Sequence, residues 1–343
     1  MDGAPGPSAS ALRPTAPSFE PDELPLNDIE IDLDDLNIDD ILSAMGGDSH
    51  GLHRLQISEK PPNKTVVLNS TADGHAYTLV STKDHLANVI DILARLPTNP
   101  PSIAIDIEGI NLSRYGTISI ITIHAAPRGV TFLIDVFTLG ELAFTTPGVQ
   151  HKQTTLKVIF ENPVVPIILF DVRNDNDALV NIFGIHLKNV IDVQLMELAC
   201  RDLNRTHVAS LVKSIENAQI LTPPQMKKWH DGKRIGKRLF ASDQGGHANV
   251  FNERPLRPEI AEYCVQDVVL LGKLWLRYNS TLNSPGRNHW RVKIRIETIN
   301  RLSLANDPGY DGLSSGRQKT KAPPGWPQLG SFSPTDIPPS PNG

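Results

Sequence analysis

The stretch IAIDIEG, residues 103–109, combines a strand pattern with a pair of carboxylates. Isoleucines stand at every second position, which is typical of a β-strand with one apolar face. The other face carries Asp106 and Glu108, and at a rise of ~3.3 Å per residue these two neighbours lie roughly 7 Å apart. Two carboxylates this close on a core strand repel each other and lose hydration. The pair therefore predicts a site in which other groups offset the charge.

Composition favours a folded intracellular protein. The chain has 343 residues, of which 39% are hydrophobic and 21% are charged, enough for one large domain or two modest ones. Two cysteines, Cys200 and Cys264, are too few for a disulfide framework and lack metal-ligand spacing. There is neither an apolar run of ~18 residues nor a signal-peptide pattern, so we expect no membrane association and a nuclear or cytoplasmic location.

Charge divides the chain into an acidic head and a basic body. Residues 1–48 contain twelve acids and one base, Arg13, and carry a net charge of -11. Because the whole chain carries -5, residues 49–343 carry +6. A basic body is compatible with a polyanionic partner such as nucleic acid.

Residues 1–60 are predicted to be a disordered acidic and proline-rich region. Residues 1–20 are dominated by Pro, Ala, Ser and Gly. In residues 26–42, LNDIEIDLDDLNIDDIL, acids alternate with aliphatic residues, and we expect neither helix nor strand. Two interpretations stay open: a solvating tail, or a segment that docks on a protein partner or on the basic body in competition with nucleic acid.

The remaining pattern predicts an α/β domain, a mixed β-sheet flanked by helices, over residues 70–283. A capping box of Ser81 and Asp84 is expected to start a helix that Pro97 ends. Predicted strands cover 76–82, 103–108, 117–123, 130–136, 165–172 and 189–193, with the second, third and fourth as antiparallel neighbours. Predicted helices cover 152–160, 174–183, several segments up to 282, and a C-terminal extension within 284–306. Residues 307–343, rich in Gly, Pro and Ser, are expected to be flexible.

Further acids lie on elements that can reach Asp106 and Glu108. One segment, FDVRNDNDALVNIF, passes from a strand to a helix. Another, RPEIAEYCVQDVVLLGKLWLRY, is predicted as one long helix with Tyr263 and Asp267 on the same face, about 5–6 Å apart. Divalent metals with hard oxygen ligands, Mg²⁺ or Mn²⁺, can neutralise such a carboxylate cluster.

These motifs together resemble the DEDD family of 3′–5′ exonucleases. D-x-E on the first strand, an Asp that opens a helix after a core strand, and Y-x-x-x-D on a late helix resemble the DEDDy branch, near RNase D and the Werner exonuclease domain. IDIEGINLSRYGTISIITI and FDVRNDNDAL are most similar to the subgroup of the piRNA-pathway exonuclease-domain protein and Egalitarian. The resemblance covers residues 76–282 and implies an RNase H-like fold.

The resemblance implies an activity and a set of metal ligands. It implies removal of nucleotides from the 3′ end of single-stranded RNA or DNA with two divalent ions, Mg²⁺ or Mn²⁺. Asp106, Glu108 and Asp267 hold one ion, Asp106 bridges to the second, and Tyr263 orients the attacking water.

The fourth implied ligand has three candidates within one segment. Asp175 lies four residues before Leu179, which is the family's spacing, so it is expected to hold the second ion mainly through waters. Asp171 is then expected to be a turn or capping group, and Asp177 a surface acid.

Several other residues have competing interpretations. Candidate phosphate contacts are Arg114, Lys227, Lys228, Lys233, Arg234, Lys237 and Arg238. For the basic segment 227–238, with Trp229 or His230 as stacking groups, a solvated surface or a nuclear-import signal is an equal alternative. Asp135 and Asp192 at strand ends are predicted to cap turns, and His124 to be structural. A catalytically silent nucleic-acid-binding adaptor is the alternative to the enzyme.

Overall fold

A computed structural model describes residues 29–31, 66–313 and 320–326. Its strands, in chain order, are β1 (Ile29–Ile31), β2 (Val66–Ser70), β3 (Ala76–Val80), β4 (Ile103–Glu108), β5 (Ile120–Ala125), β6 (Val130–Asp135), β7 (Ile167–Leu169) and β8 (Val190–Asp192). They form one sheet in the order β1-β2-β3-β6-β5-β4-β7-β8. The β4–β5 and β5–β6 pairs are antiparallel, as predicted, whereas β3–β6, β4–β7 and β7–β8 are parallel. The predicted mixed sheet is confirmed.

Helices cover both faces of this sheet. They are α1 (Lys83–Ala94), α2 (Val136–Leu139), α3 (Leu142–Thr145), α4 (Leu156–Phe160), α5 (Arg173–Phe183), α6 (Val193–Cys200), α7 (Leu211–Ala218), α8 (Pro223–Phe240), α9 (Pro258–Val268), α10 (Leu271–Leu282) and α11 (Asn288–Ser303). Among the described residues, no helix has the length and apolar composition that a membrane crossing requires.

The two faces of β4 belong to different parts of the interior. Its three isoleucines lie in one hydrophobic cluster, with residues of α1, α4 and α5. Ala104 lies in a second cluster, with residues of α6, α9 and α10. Successive side chains of a strand point to opposite faces. Asp106 and Glu108 therefore face the side that α9 covers.

Some element boundaries differ from the prediction. Helix α1 is capped by Thr82, whose hydroxyl accepts from the His85 N–H at 3.3 Å, and not by the expected Ser81–Asp84 box. Strand β5 starts at Ile120 rather than at 117, because residues 109–119 form a loop in which the Ser119 N–H donates to the Glu108 carbonyl.

The long helix predicted after Arg257 is two helices in the structure. α9 ends at Val268 and α10 begins at Leu271. Residues 259–271 contain neither proline nor glycine, and Gly272 lies just after the break. Tyr263 and Asp267 both lie on α9, and their predicted four-residue spacing on one face is retained.

Both terminal regions contain more structure than composition indicates. Ile29–Ile31 pairs antiparallel with β2, although its pattern was expected to favour neither helix nor strand. Strand pairing requires only main-chain N–H and C=O groups, so the pattern of side chains in the sequence does not predict it. The other residues of the predicted acidic region 1–60 lie outside the described residues.

Within the predicted tail 307–343, the structure describes residues 307–313 and 320–326. The ring of Trp326 packs 5.1 Å from that of Trp290, and the Ala322 N–H donates to the Thr206 carbonyl at 2.9 Å. A single buried aromatic residue can anchor a segment whose average composition is polar.

Two glycines allow α8 and α9 to approach closely. A Cβ atom at Gly236 would lie 2.6 Å from Tyr263 Cβ and 3.0 Å from the Glu259 carbonyl oxygen. A Cβ atom at Gly232, four residues earlier on the same helix face, would lie 2.4 Å from the Gln266 amide nitrogen. No other residue fits at Gly236 without moving the helix that carries Tyr263 and Asp267.

We expect Gly236→Ala to destabilise the protein by about 1–3 kcal/mol, because the added methyl group overpacks the α8–α9 contact. Gly272 in α10 is the matched control, since a Cβ atom there meets nothing within 4 Å. Gly272→Ala should stabilise by up to about 1 kcal/mol by lowering the entropy of the unfolded chain. Urea unfolding measures both free energies, and equal effects of the two substitutions would contradict the packing constraint.

Candidate active site

Three carboxylates converge between the sheet and α9. Asp106 and Glu108 project from β4, and Asp267 projects from α9. One oxygen from each lies within 4.8 Å of the other two. Asp106 and Glu108 are half-buried and Asp267 is buried. The predicted pair on β4 is thus joined by the acid predicted on the late helix.

Asp175 approaches β4 beyond the end of its pairing with β7. Strand β7 ends at Leu169, and its pairing with β4 covers only Ile103 and Ala104. Ile107 lies beyond the last residue of this pairing, and its main-chain N–H donates a hydrogen bond to the Asp175 carboxyl group. Asp175 is buried, and its Oδ1 accepts no hydrogen bond. A buried carboxylate oxygen without a partner is costly unless a cation or a water satisfies it.

The environment of these acids favours their neutral forms. Burial, and then repulsion from Asp267 and Glu108, raises the pKa of Asp106 well above its ordinary value. Burial and then repulsion from Asp267 raise the pKa of Glu108 to about 8. Burial and then the charge of Asp171 raise that of Asp175 to about 7. Burial also raises the pKa of Asp267, against the attraction of Lys233. Acids in such a state gain strongly from a bound cation.

Tyr263 lies one helical turn before Asp267 and is half-buried. Its ring packs edge-on against Phe240, with centroids 4.9 Å apart. Burial and then the charge of Asp267 raise the pKa of its hydroxyl far above the ordinary value. The phenol therefore stays protonated at neutral pH and can hold or orient a water, but it cannot serve as a base.

Lys233 joins the site instead of the exposed basic surface. Its Nζ donates to Asp267 Oδ2 at 2.5 Å and lies 3.2 Å from the centroid of the Tyr263 ring. The sequence placed it with the phosphate-contact candidates, and nothing in its local spacing distinguishes it from Lys237. The difference arises from the close α8–α9 packing at Gly232 and Gly236.

The other candidates on α8 remain at the surface. Lys227, Lys228, Arg234, Lys237 and Arg238 are exposed. Lys227 and Arg234 both pair with Asp231, at 3.0 and 3.3 Å. Trp229 is buried, with its indole N–H directed to the Gln266 carbonyl at 3.4 Å, and His230 contacts Glu216 at 3.2 Å. Trp229 is therefore a core residue and not a stacking platform for a base.

Arg114 is held inside the fold. Its Nε donates to Asp177 Oδ1 at 2.9 Å, and its guanidinium also donates to the Leu304 carbonyl at 3.0 Å. Asp177 is fully buried, so its assignment as a surface acid is wrong. The pair ties the loop after β4 to the C-terminal segment, over separations that local sequence cannot reveal.

The strand-end acids have structural partners. Asp171 lies in the left-handed region at φ 65° and pairs with Arg173 at 2.6 Å, so it forms a turn but does not cap α5. Asp192 caps α6 through the Gln194 N–H and also accepts from buried Arg301 at 2.7 Å. Asp135 caps α2 and pairs with Arg254. Asp192 and Asp135 thus cap helices, whereas capping of turns was predicted.

His124 also has the structural role expected of it. Its Nδ1 lies 3.0 Å from the hydroxyl oxygen of Thr131 on the neighbouring strand β6. Burial lowers the pKa of its imidazole to about 4, so the ring is neutral at physiological pH.

The C-terminal segment supports the helix that carries Asp175. The Asn176 amide donates to the Leu302 carbonyl at 2.8 Å, and the Asn181 amide donates to the Ala305 carbonyl at 3.1 Å. The Tyr310 hydroxyl donates to Asn174 at 2.7 Å. Sequence reasoning missed this support, because the residues lie more than a hundred positions apart.

The residues present suit divalent metal ions. The carboxylate cluster supplies only oxygen ligands, which Mg²⁺ and Mn²⁺ prefer. The unpartnered Asp175 Oδ1 leaves a position for a cation or a water, and burial with mutual repulsion raises the pKa values of the acids, which a bound cation would counteract. Among the described residues, Asp106, Glu108 and Asp267 are the group of acids whose oxygens lie close enough together to hold one metal ion.

Comparison with known proteins identifies related folds. A family model described as 3′-5′ exonuclease matches residues 77–282. RNase D from Trypanosoma brucei in complex with GMP is similar, with a TM-score of 0.53 and 18% identity over 72% of this chain and 69% of that chain. Another structure of the same RNase D gives a TM-score of 0.52 and 18% identity over 72% and 78%. These similarities confirm the predicted RNase H-like fold. No curated protein sequence matches the chain.

The raised pKa values predict an unusual dependence of stability on pH. In EDTA, the folded protein binds more protons at these acids than the unfolded chain does, so its free energy of unfolding should fall from about pH 5 to about pH 8. Added Mn²⁺ should therefore raise the melting temperature more at about pH 8 than at about pH 5.5.

Thermal unfolding of two variants isolates this effect. In EDTA, Asp106→Asn should make the decrease of the unfolding free energy with rising pH less steep, because it removes one of the repelling groups. Asp243→Asn is the control, since Asp243 is exposed, and it should leave the slope unchanged. A slope that Asp106→Asn does not alter would contradict the charge crowding.

Proposed function

Because the chain belongs to the 3′-5′ exonuclease family, we propose that it is a metal-dependent enzyme that hydrolyses phosphodiester bonds from the 3′ end of single-stranded RNA or DNA. The observation that carries the proposal is the convergence of three carboxylate oxygens from β4 and α9 within 4.8 Å of one another. A protein interior tolerates such a cluster when cations neutralise it.

Each acid has a role that follows from its position. Asp106, Glu108 and Asp267 would hold one ion, and Asp106 with Asp175 would hold the second. The ions would supply a hydroxide nucleophile and neutralise charge on the phosphate and on the leaving 3′-oxygen. Asp175 accepts from the Ile107 N–H of β4 and keeps an unpartnered oxygen, which suits a ligand that acts through waters.

Tyr263 positions the attacking water in this proposal. Its hydroxyl is protonated because burial raises its pKa, so it donates or accepts one hydrogen bond and leaves proton removal to other groups. The Lys233 ammonium over the ring and the edge contact with Phe240 restrict the direction of the ring.

The exposed face of α8 supports nucleic-acid binding. Five basic side chains of this helix are at the surface: Lys227, Lys228, Arg234, Lys237 and Arg238. The same helix carries Lys233 into the carboxylate cluster, so the basic face begins next to the reacting centre. Contacts from such a face to the phosphate backbone are independent of sequence and weaken with salt.

The finer family assignment rests on sequence motifs. The order D-x-E, Asp at a helix start and Y-x-x-x-D supports the DEDDy branch, and the stretches around Asp106 and Asp175 support the subgroup of the piRNA-pathway protein and Egalitarian. In a silent adaptor of this fold, one or more acids would be lost. This chain retains all four acids and the tyrosine, which supports catalysis.

Single-stranded oligonucleotides with a label at either end test the proposal. With Mn²⁺ or Mg²⁺, we expect 5′-labelled RNA or DNA to shorten stepwise from its 3′ end, and 3′-labelled substrate to release labelled mononucleotide at once. EDTA should stop both reactions. Asp106→Ala should lower the rate by at least ~10³-fold, because it removes a ligand shared by both ions.

Tyr263→Phe separates orientation from metal binding. We expect it to lower turnover by ~10²-fold or more while calorimetry shows unchanged Mn²⁺ affinity. Binding of the oligonucleotide without shortening in either metal would identify an adaptor and refute the enzyme. Cleavage that persists in Asp106→Ala would place the reaction at another site.

A further inference from the structure

Lys233 is the basic side chain of α8 that enters the carboxylate cluster. Only 11% of its side chain is exposed, whereas 81% of Lys227 and 61% of Arg234 on the same helix are exposed. Its ammonium donates to Asp267 Oδ2 at 2.5 Å and to the Tyr263 carbonyl at 3.4 Å. It also lies over the Tyr263 ring, 3.2 Å from the centroid. These three contacts hold the ammonium next to Asp267, which is the carboxylate of the cluster that lies on α9.

The helix packing directs Lys233 inward. Gly232 precedes it and Gly236 follows it by three residues; at Gly236 the Tyr263 Cβ and the Glu259 carbonyl leave no room for a side chain, and at Gly232 the Gln266 side chain lies close to the backbone. A lysine between two such contacts has its Cβ near the neighbouring helix, so its side chain is directed along the helix interface towards Asp267. Lys237 lies one turn further along α8 and is exposed.

The ammonium acts electrostatically on the whole cluster. Its charge opposes the burial and repulsion that raise the pKa values of Asp106, Glu108 and Asp267. These are the same three acids whose oxygens converge. Lys233 therefore contacts Asp267 directly and supplies one positive charge to a cluster that a divalent ion would supply with two.

We propose that Lys233 and a divalent cation compete for the carboxylates of Asp106, Glu108 and Asp267, so that metal entry requires the ammonium to leave Asp267. The inference rests on the proposed function, since it concerns the metal held by the same site. Lys233 is then a tethered counter-ion that weakens metal binding and raises the free metal concentration at which the site is half occupied.

Metal affinity of the full-length chain tests this competition. Isothermal titration with Mn²⁺ alone should show at least ~10-fold tighter binding for Lys233→Met than for the natural protein, because the competing charge is removed. Lys233→Arg keeps the charge and should bind Mn²⁺ about as the natural protein does. Lys273→Met is the matched control, since Lys273 is exposed on α10, and it should leave the affinity unchanged.

A purely structural ion pair would behave differently. If Lys233 only joined α8 to α9, Lys233→Met would lower the unfolding free energy without strengthening Mn²⁺ binding. An Mn²⁺ affinity equal to or weaker than that of the natural protein would therefore overturn the competition. Lys233→Gln provides a second uncharged variant should the Met variant not fold, and the same tighter affinity is expected. Absence of Mn²⁺ binding in the natural protein would refute the proposed function as well, whereas equal binding in natural protein and variant refutes the competition alone.

Discussion

Mutual repulsion among Asp106, Glu108 and Asp267 is the constraint on which the arrangement depends. Their oxygens lie within 4.8 Å of one another, and burial raises the pKa of each acid. The surrounding elements supply one ammonium, from Lys233, for these three groups. Such a site lowers the stability of the folded protein unless positive charge is added. Functional sites commonly have a cost of this kind in folding stability.

Periodic spacing explains how much of this site could be predicted from the sequence. Alternation in residues 103–108 identifies the strand, its buried face and the shared face of Asp106 and Glu108. A spacing of four places Tyr263 and Asp267 together on a helix, even though the helix ends sooner than expected. These inferences depend on local geometry, which sequence patterns report well.

Contacts between distant residues could not be predicted in this way. The inward direction of Lys233 depends on α8 meeting α9 at two glycines, a matter of tertiary packing. Arg114 and Asp177 are 63 residues apart, and the Trp290–Trp326 contact joins α11 to a segment of polar average composition. Hydrogen bonds from Asn176 to Leu302 and from Asn181 to Ala305 hold α5, and with it Asp175, against the C-terminal segment, so residues beyond 283 contribute to the geometry of the site.

Anomalous diffraction from crystals of the protein grown with Mn²⁺ tests whether this carboxylate cluster binds a divalent metal. We expect an anomalous peak in contact with Asp106, Glu108 and Asp267, with the Lys233 ammonium displaced from Asp267. A crystal with Mn²⁺ bound elsewhere, and Lys233 still hydrogen-bonded to Asp267, would contradict this expectation.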